Sequence, residues 1–197
     1  MNLPNKLTVS RFALTVAFLA VIFSPVVRFR ETIALLLFSL ASITDFLDGT
    51  IARRRNLITN FGILMDPLAD KILVCSAFIA FVGLGWMPAW MVVIIVAREL
   101  AITGMRLLAA SKNLVLAAEG FGKHKTISQI VAIIAILVLK SYHEWGAFGP
   151  AVFGFDVFGK PWAEWFVPLS IWVAVTLTFV SGALYLWRNR QLYLQDL

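Results

Sequence analysis

Cysteine and histidine are nearly absent from this sequence. The 197 residues include one cysteine and two histidines. A single cysteine, Cys75, cannot form a disulfide within the chain, and it says little about the redox compartment. Neither residue type occurs among the acidic residues described below, so the ligands typical of zinc sites are missing there.

Charge is scarce as well. Only 14% of the residues are charged and 60% are hydrophobic, whereas soluble domains are roughly 45–50% apolar. Several apolar runs approach or exceed the length that spans a bilayer. No internal repeat is visible, and no small-residue cleavage site follows the first apolar run, so we expect that run to remain in the protein. The composition predicts one integral membrane domain over residues 1–197.

The apolar pattern predicts an all-α integral membrane protein with six transmembrane helices. These segments cover residues 8–27, 32–52, 62–84, 89–110, 126–139 and 162–187, and the fifth is expected to extend by about one turn at each end. Eleven Lys and Arg residues lie on the side of the termini, and four lie on the other side, namely Arg28, Arg30, Lys140 and Lys160. This bias predicts that both termini are cytoplasmic in a multi-pass protein of the cell (inner) membrane. The net charge of +6 then faces anionic membrane lipids, and we expect no nucleic-acid partner.

Four of the eleven carboxylates occupy one stretch. Asp45 and Asp48 are three residues apart, and Asp66 and Asp70 are four apart. On helices, each pair therefore shares one face. Because a charged side chain at the centre of a membrane helix costs about 2.5–3.5 kcal/mol, this grouping indicates a functional use. A short connection makes the two helices neighbours, with both pairs near their cytoplasmic ends.

Grouped carboxylates suit hard divalent cations. Mg²⁺ is bound by carboxylates together with phosphate oxygens of a substrate. Gly49 and Gly62 have no Cβ, so a nucleotide or phosphate can approach the backbone closely there. Arg53 offers a fork-shaped partner for phosphate. The residues alone therefore predict a metal-dependent site for a pyrophosphate compound.

The stretch from Asp45 to Asp70 reads D-x2-D-G-x2-A-R-x8-G-x3-D-x3-D. This resembles, at every fixed position, the signature of the CDP-alcohol phosphotransferases. The resemblance implies a cytoplasm-facing site with two divalent metal ions (Mg²⁺ or Mn²⁺) and a CDP-linked donor. It also implies transfer of a phosphoalcohol group to a hydroxyl, release of CMP, and a homodimer.

The resemblance further assigns roles to residues. It implies that Asp45, Asp48, Asp66 and Asp70 are the metal ligands and that Asp70 is also the proton acceptor. The positions implied for binding the CDP donor are Gly49, Ala52, Arg53, Thr59 and Gly62, together with Asn5 and Thr8 of a similar N-terminal segment.

The acceptor site is expected outside the shared motif. Arg98, Arg106, Lys123 and Lys125 are the remaining cations in the cytoplasmic halves of the fourth and fifth segments. Because charge-assisted hydrogen bonds to phosphate are strong, this cluster suits a phosphorylated acceptor. Arg98 and Arg106 are about 80° apart around a helix, so both can line one cavity.

A second resemblance narrows the acceptor. The runs Ala97–Leu100, Thr103–Arg106 and Gly122–Thr126, with Gln129, resemble one branch of the family. That branch transfers the phosphatidyl group from CDP-diacylglycerol to sn-glycerol 3-phosphate, giving phosphatidylglycerophosphate and CMP. It usually has an apolar residue at the position of His124.

Other functions remain open from the sequence. Related synthases of the phosphatidylinositol phosphate, phosphatidylserine or cardiolipin type would use inositol phosphate, serine or phosphatidylglycerol as acceptor. Intramembrane prenyltransferases also use aspartate-rich motifs with Mg²⁺, but they lack this spacing. A cation or proton-coupled transporter would spread its carboxylates through the membrane depth and usually carry internal repeats.

Overall fold

The protein is an assembly of α-helices, seen here in a computed structural model. The structure describes residues 3–55, 60–112, 114 and 121–194. Within these ranges, the side chains of residues 3–7, 45–55, 60–64, 66, 67, 70, 121, 123 and 194 are not described. Thr59 lies outside the described residues.

Six helices form the body of the described chain. Their bounds are α1 Leu3–Phe23, α2 Arg30–Arg55, α3 Asn60–Gly83, α4 Ala89–Ser111, α5 Phe121–Ser141 and α7 Trp162–Arg188. A short α8, Arg190–Leu194, ends the described chain. Each of the six has 21 to 27 residues, which corresponds to about 31–40 Å.

The helices pack around an apolar core. α1 lies against α2 and α3, α5 lies against α2 and α7, and α4 lies against α3 and α7. Buried phenylalanines fill the centre, with the rings of Phe18 and Phe38 6.1 Å apart and those of Phe78 and Phe81 6.4 Å apart. Fully buried alanines such as Ala41 and Ala77 allow neighbouring helices to approach closely, as is common in membrane helices.

Two described helical stretches are long and apolar enough to cross a membrane, His124–Trp145 and Trp162–Arg188. Thr8–Phe23 and Lys71–Gly83 are shorter apolar stretches in the described chain. The acids in α2 and α3 and the Arg98–Glu99 pair in α4 interrupt the other apolar windows. The prediction of a mostly helical protein is confirmed for the described residues.

The segment between α5 and α7 differs from the expected loop. It contains a 3₁₀ helix at Tyr142–Trp145, a short helix α6 at Phe148–Phe153, and a two-stranded hairpin, β1 Asp156–Val157 and β2 Lys160–Pro161. Gly146 and Gly159 have φ values of 61° and 81°, which glycine adopts at no steric cost. These elements are too short to show a periodic apolar pattern.

Tryptophans hold this segment in place. The Trp145 Nε1 donates to Thr32 Oγ1 at 2.9 Å, Trp162 Nε1 to the Val152 carbonyl at 2.8 Å, and Trp165 Nε1 to the Val157 carbonyl at 3.0 Å. Thr32 Oγ1 also donates to Glu144. The segment is therefore fixed to the start of α2 and to α7 by hydrogen bonds.

Candidate functional site

The two acid pairs lie at similar depths on neighbouring helices. Asp45 and Asp48 are ten and seven residues before the end of α2, and Asp66 and Asp70 are six and ten residues after the start of α3. At about 1.5 Å per residue, all four lie about 9–15 Å from the connection between the helices. Each pair thus lies on a helix, as its spacing predicted, and the two helices contact each other.

The donor positions of the motif follow the same two helices. Gly49, Ala52 and Arg53 lie in the last two turns of α2, and Gly62 lies in the first turn of α3. Their backbones are helical, and their side chains are outside the description. Thr59, in the connection, is also outside it.

The N-terminal segment reaches the same depth. Thr8 is 15 residues before the end of α1, and Asp45 is 15 residues after the start of α2. Since α1 and α2 pack together and a short turn joins them, Thr8 and Asp45 lie at about the same level. Asn5 lies about one turn nearer the start of α1, which places it close to the level of Asp48.

Arg11 is a buried cation that the site predictions did not include. Both Thr8 and Arg11 are fully buried, and Thr15 Oγ1 donates to the Arg11 carbonyl at 2.9 Å. A buried guanidinium is costly unless charged or polar groups face it. The signal available in the sequence was an arginine inside an apolar run, one turn after Thr8.

Two of the predicted acceptor cations meet at one carboxylate. Lys125 of α5 donates its Nζ to Glu99 Oε1, and Arg98 Nη1 lies 3.3 Å from the same oxygen. The three side chains are 6%, 14% and 7% exposed in the order Lys125, Arg98, Glu99. One carboxylate therefore faces two cations, and all three charged groups are shielded from bulk water.

A chain of hydrogen bonds connects this cluster to the motif. Thr103 Oγ1 donates to the Glu99 carbonyl at 2.7 Å and accepts from Lys71 Nζ at 2.6 Å. Lys71 directly follows Asp70. The bonds thus run from the residue after the last motif acid, through α4, to the cations.

A side-chain hydrogen bond joins α5 to α7 one turn beyond Lys125. Gln129 Nε2 donates to Thr178 Oγ1 at 2.9 Å, and Thr178 Oγ1 donates to the Ala174 carbonyl at 2.6 Å. Both side chains are buried. Inside an apolar bundle, such bonds fix how one helix is rotated against the next.

Arg98 lies directly against α7. A Cβ added at Gly182 would come within 2.6 Å of the Arg98 Cγ, so only glycine leaves room for this side chain. The Arg98 Nε is buried and has no hydrogen-bond partner among the described residues. It therefore remains a donor that a ligand can use.

The structure does not bring all four predicted acceptor residues together. Arg106 is exposed and makes no hydrogen bond or ion pair with any described residue. Lys123 has a helical backbone, but its side chain is not described. Only Arg98 and Lys125 are seen to converge.

Glu99, Thr103, Lys71 and Gly182 were missed as members of this region. The sequence signals were a glutamate beside Arg98 in an apolar helix and a lysine following Asp70. Nothing in the sequence marked Gly182, because its role depends on the side chain that packs on it.

The arrangement suits an anionic, phosphate-bearing pair of substrates. Among residues with described side chains, no group of three or more His, Cys, Asp or Glu forms a competing metal site. The four aspartates are the hard oxygen donors that divalent cations prefer, and their matched depths fit such ions. The buried cations of α4 and α5 are connected to α3, which carries Asp66 and Asp70, through the hydrogen bonds of Thr103.

Comparison with known proteins agrees with these features. A family model described as CDP-alcohol phosphatidyltransferase matches residues 1–180. A Bacillus subtilis (strain 168) protein named CDP-diacylglycerol–glycerol-3-phosphate 3-phosphatidyltransferase is 40% identical over 199 aligned positions, covering 95% of each chain. A Rickettsia bellii protein of the same name is 35% identical over 93% of each chain.

A protein of Mycobacterium tuberculosis (strain H37Rv), named probable phosphatidylglycerophosphate synthase, is 40% identical over 134 positions. These cover 67% of this chain and 64% of that protein. With the family model covering most of its length and such relatives covering nearly all of it, this chain belongs to the CDP-alcohol phosphatidyltransferase family.

Proposed function

We propose that this protein transfers the phosphatidyl group of CDP-diacylglycerol to the primary hydroxyl of sn-glycerol 3-phosphate. The products are phosphatidylglycerophosphate and CMP. The names of the relatives that align over nearly the whole chain support this acceptor. The observation that carries the proposal is the buried Lys125–Glu99–Arg98 cluster, connected through Thr103 to Lys71 beside Asp70.

The acceptor's phosphate would be bound by Arg98 and Lys125. Both cations already share one carboxylate oxygen of Glu99, and the Arg98 Nε still lacks a partner among described residues. A phosphate dianion offers the additional acceptors that this cluster can use, and such charge-assisted bonds are strong. Lys123 and Arg106, on the same two helices, would add positive charge to this region.

The four motif aspartates would hold two divalent cations, Mg²⁺ or Mn²⁺. When bound, these ions neutralise negative charge on the donor's pyrophosphate. Gly49, Ala52, Arg53, Thr59 and Gly62 would contact the CDP group from the ends of α2 and α3, and Asn5 and Thr8 would contact it from α1.

The remaining chemistry is assigned to the chain's own residues. Asp70 accepts the proton of the attacking hydroxyl, and this oxygen forms a bond to the phosphatidyl phosphorus while the bond to CMP breaks. Arg98 and Lys125 fix the other end of the acceptor, so that its hydroxyl is oriented toward the donor. The hydrogen bond from Lys71 to Thr103 fixes the position of α3 relative to α4.

The same proposal includes the membrane arrangement. We propose that α1–α5 and α7 are six spans, with both termini and the motif on the cytoplasmic face of the inner membrane. Each helix is at least as long as the hydrocarbon core, about 30 Å, which supports this count. The homodimer remains part of the proposal, and cross-linking in native membranes measures it.

Purified protein with CDP-diacylglycerol, Mg²⁺ or Mn²⁺, and glycerol 3-phosphate is expected to release CMP. Inositol phosphate, serine and phosphatidylglycerol serve as competing acceptors in parallel reactions. Faster CMP release with any of these would reject the proposed acceptor. Cation flux into liposomes without any CDP substrate would instead support a transporter.

The role of Asp70 has its own test. Asp70→Asn is expected to lower kcat by about 10²–10⁴-fold, the usual contribution of a general base. Asp156→Asn is the matched control, because Asp156 is an exposed residue of β1 at the far end of the bundle. Full activity in Asp70→Asn would remove the base assignment.

A further inference from the structure

A cavity lies at the end of the bundle opposite the aspartate motif. It has a volume of about 660 Å³ and is bounded by the α3–α4 turn, the end of α5 and the first half of α7. Small-molecule sites commonly have volumes of about 300–1,000 Å³. We call it the distal cavity, and it shares no residue with the proposed catalytic site.

The distal cavity has a charged end. Lys140, His143 and Glu164 line it and are exposed. None of the three side chains makes a hydrogen bond or ion pair with a described residue; the Lys140 Nζ lies 5.4 Å from the centre of the Trp86 ring. An ammonium and an imidazole N–H are thus available as donors to an anion.

A proline adds an acceptor beside the charged end. Pro168 lies inside α7 and lines the cavity, as does Glu164 four residues before it. Proline has no backbone N–H, so the Glu164 carbonyl lacks its normal helical donor. The carbonyl and the Glu164 carboxylate together can accept hydrogen bonds from hydroxyl groups.

The other end of the distal cavity is apolar. Met91, Val167 and Ile171 are buried residues that line it, and the half-exposed Trp172 forms its edge. Glu164 and Trp172 are eight residues apart on α7, about 12 Å along the helix axis. A polar end and an apolar end at this separation match an amphiphile and not a free small anion.

We propose that the distal cavity binds one phospholipid whose headgroup donates hydrogen bonds, through hydroxyl or ammonium groups. Lys140 and His143 contact the phosphodiester, the Glu164 carboxylate and carbonyl accept from the headgroup donors, and an acyl chain lies along Met91 and Ile171. One lysine for the phosphodiester and one carboxylate for the headgroup favour such a lipid over phosphatidylcholine, whose headgroup has no hydrogen-bond donor.

Native mass spectrometry of the detergent-purified full-length protein tests this site. Phosphatidylglycerol, phosphatidylcholine and phosphatidylethanolamine are titrated separately, and phosphatidylcholine, which has no donor for Glu164, is expected to bind most weakly. Lys140→Gln is expected to weaken phosphatidylglycerol binding by at least about tenfold, the loss expected for one hydrogen bond to a charged group. Thermal unfolding of the variant shows that it remains folded.

Lys160→Gln is the matched control. Lys160 is also an exposed lysine of this end, and its Nζ lies 5.9 Å from the Trp165 ring, but it does not line the distal cavity. This variant is expected to bind phosphatidylglycerol as the unmodified protein does.

Three results would overturn the proposal. One is equal weakening by both lysine variants, which would indicate general surface charge. Another is equal binding of the three lipids. The third is displacement of the bound lipid by inorganic phosphate, added at the phosphate concentration that saturates the lipid-free protein. This result would identify a free-phosphate site in which the acyl chain has no role.

Discussion

Replacing Gly182 with alanine tests whether the position of Arg98 sets acceptor binding. The new Cβ would lie 2.6 Å from the Arg98 Cγ and 3.5 Å from its Cβ. Carbon atoms approach to about 3.5–4.0 Å, so one of the two side chains must move by about 1 Å. The guanidinium Nη1 lies only 3.3 Å from Glu99 Oε1, so such a shift changes or breaks that contact.

The expected kinetic effect follows from this displacement. A misplacement of about 1 Å in a group that positions a substrate can lower the rate by about 10²-fold. We expect kcat/KM for glycerol 3-phosphate to fall by about 10–100-fold, while KM for CDP-diacylglycerol stays unchanged. Overpacking would also lower the free energy of unfolding by about 1–3 kcal/mol, which thermal unfolding measures.

Gly104→Ala is the matched control for Gly182→Ala. Gly104 also lies in a helix, α4, and a Cβ there meets nothing within 4 Å. Both changes raise helix propensity equally, so the difference between them reports the contact with Arg98. CMP release at varied glycerol 3-phosphate is the assay.

A double-mutant cycle completes this test. If Gly182→Ala acts through Arg98, it should add little to the loss already caused by Arg98→Ala, because contacting residues are not additive. Acceptor kinetics of Gly182→Ala indistinguishable from those of Gly104→Ala would refute the reasoning. Full additivity of Gly182→Ala and Arg98→Ala would refute it equally.

The other predictions concern the buried polar bonds. Glu99→Gln removes the negative charge that faces Arg98 and Lys125, so we expect the free energy of unfolding to fall by about 3–5 kcal/mol. Glycerol 3-phosphate should raise the melting temperature more in this variant than in the unmodified protein, and no difference would exclude a phosphate at this cluster. Thr103→Val removes the partner of Lys71 and should raise KM for the acceptor, whereas Ser111→Ala, which loses only a local exposed bond, should not. Trp145→Phe loses its bond to Thr32 and should cost about 1 kcal/mol of stability without changing CMP release, since it lies far from the motif; a loss of activity at equal stability would contradict this.

The helices of the site were predictable because their signals are local. Helical spacing places Asp45 with Asp48 and Asp66 with Asp70, and α2 and α3 carry both pairs at matched depth. The bounds of α5, Phe121–Ser141, agree with the apolar core predicted at residues 126–139 once the expected turn at each end is added. Hydropathy alone marks only the shorter core, because Lys123 and Lys125 weaken the apolar pattern before it.

The tertiary partners were not predictable from the sequence. Arg98 and Lys125 were expected to share a site, but their meeting at Glu99 depends on the packing of α4 with α5 and α7. Arg106, two turns along the same helix, lies exposed instead. The hairpin at Asp156–Pro161 escaped detection because two-residue strands carry no period.

The bond between Gln129 and Thr178 has a consequence for the assembly of the bundle. Apolar helices in lipid can rotate or slide against one another with little change in free energy, because their apolar faces are similar. A buried amide that finds its hydroxyl partner in only one arrangement selects that arrangement. Gln129 lies one turn from Lys125 on α5. The hydrogen bond that fixes the rotation of α5 against α7 therefore also fixes the direction of the Lys125 side chain. The position of this ammonium group would then be set when the bundle assembles, before any substrate binds.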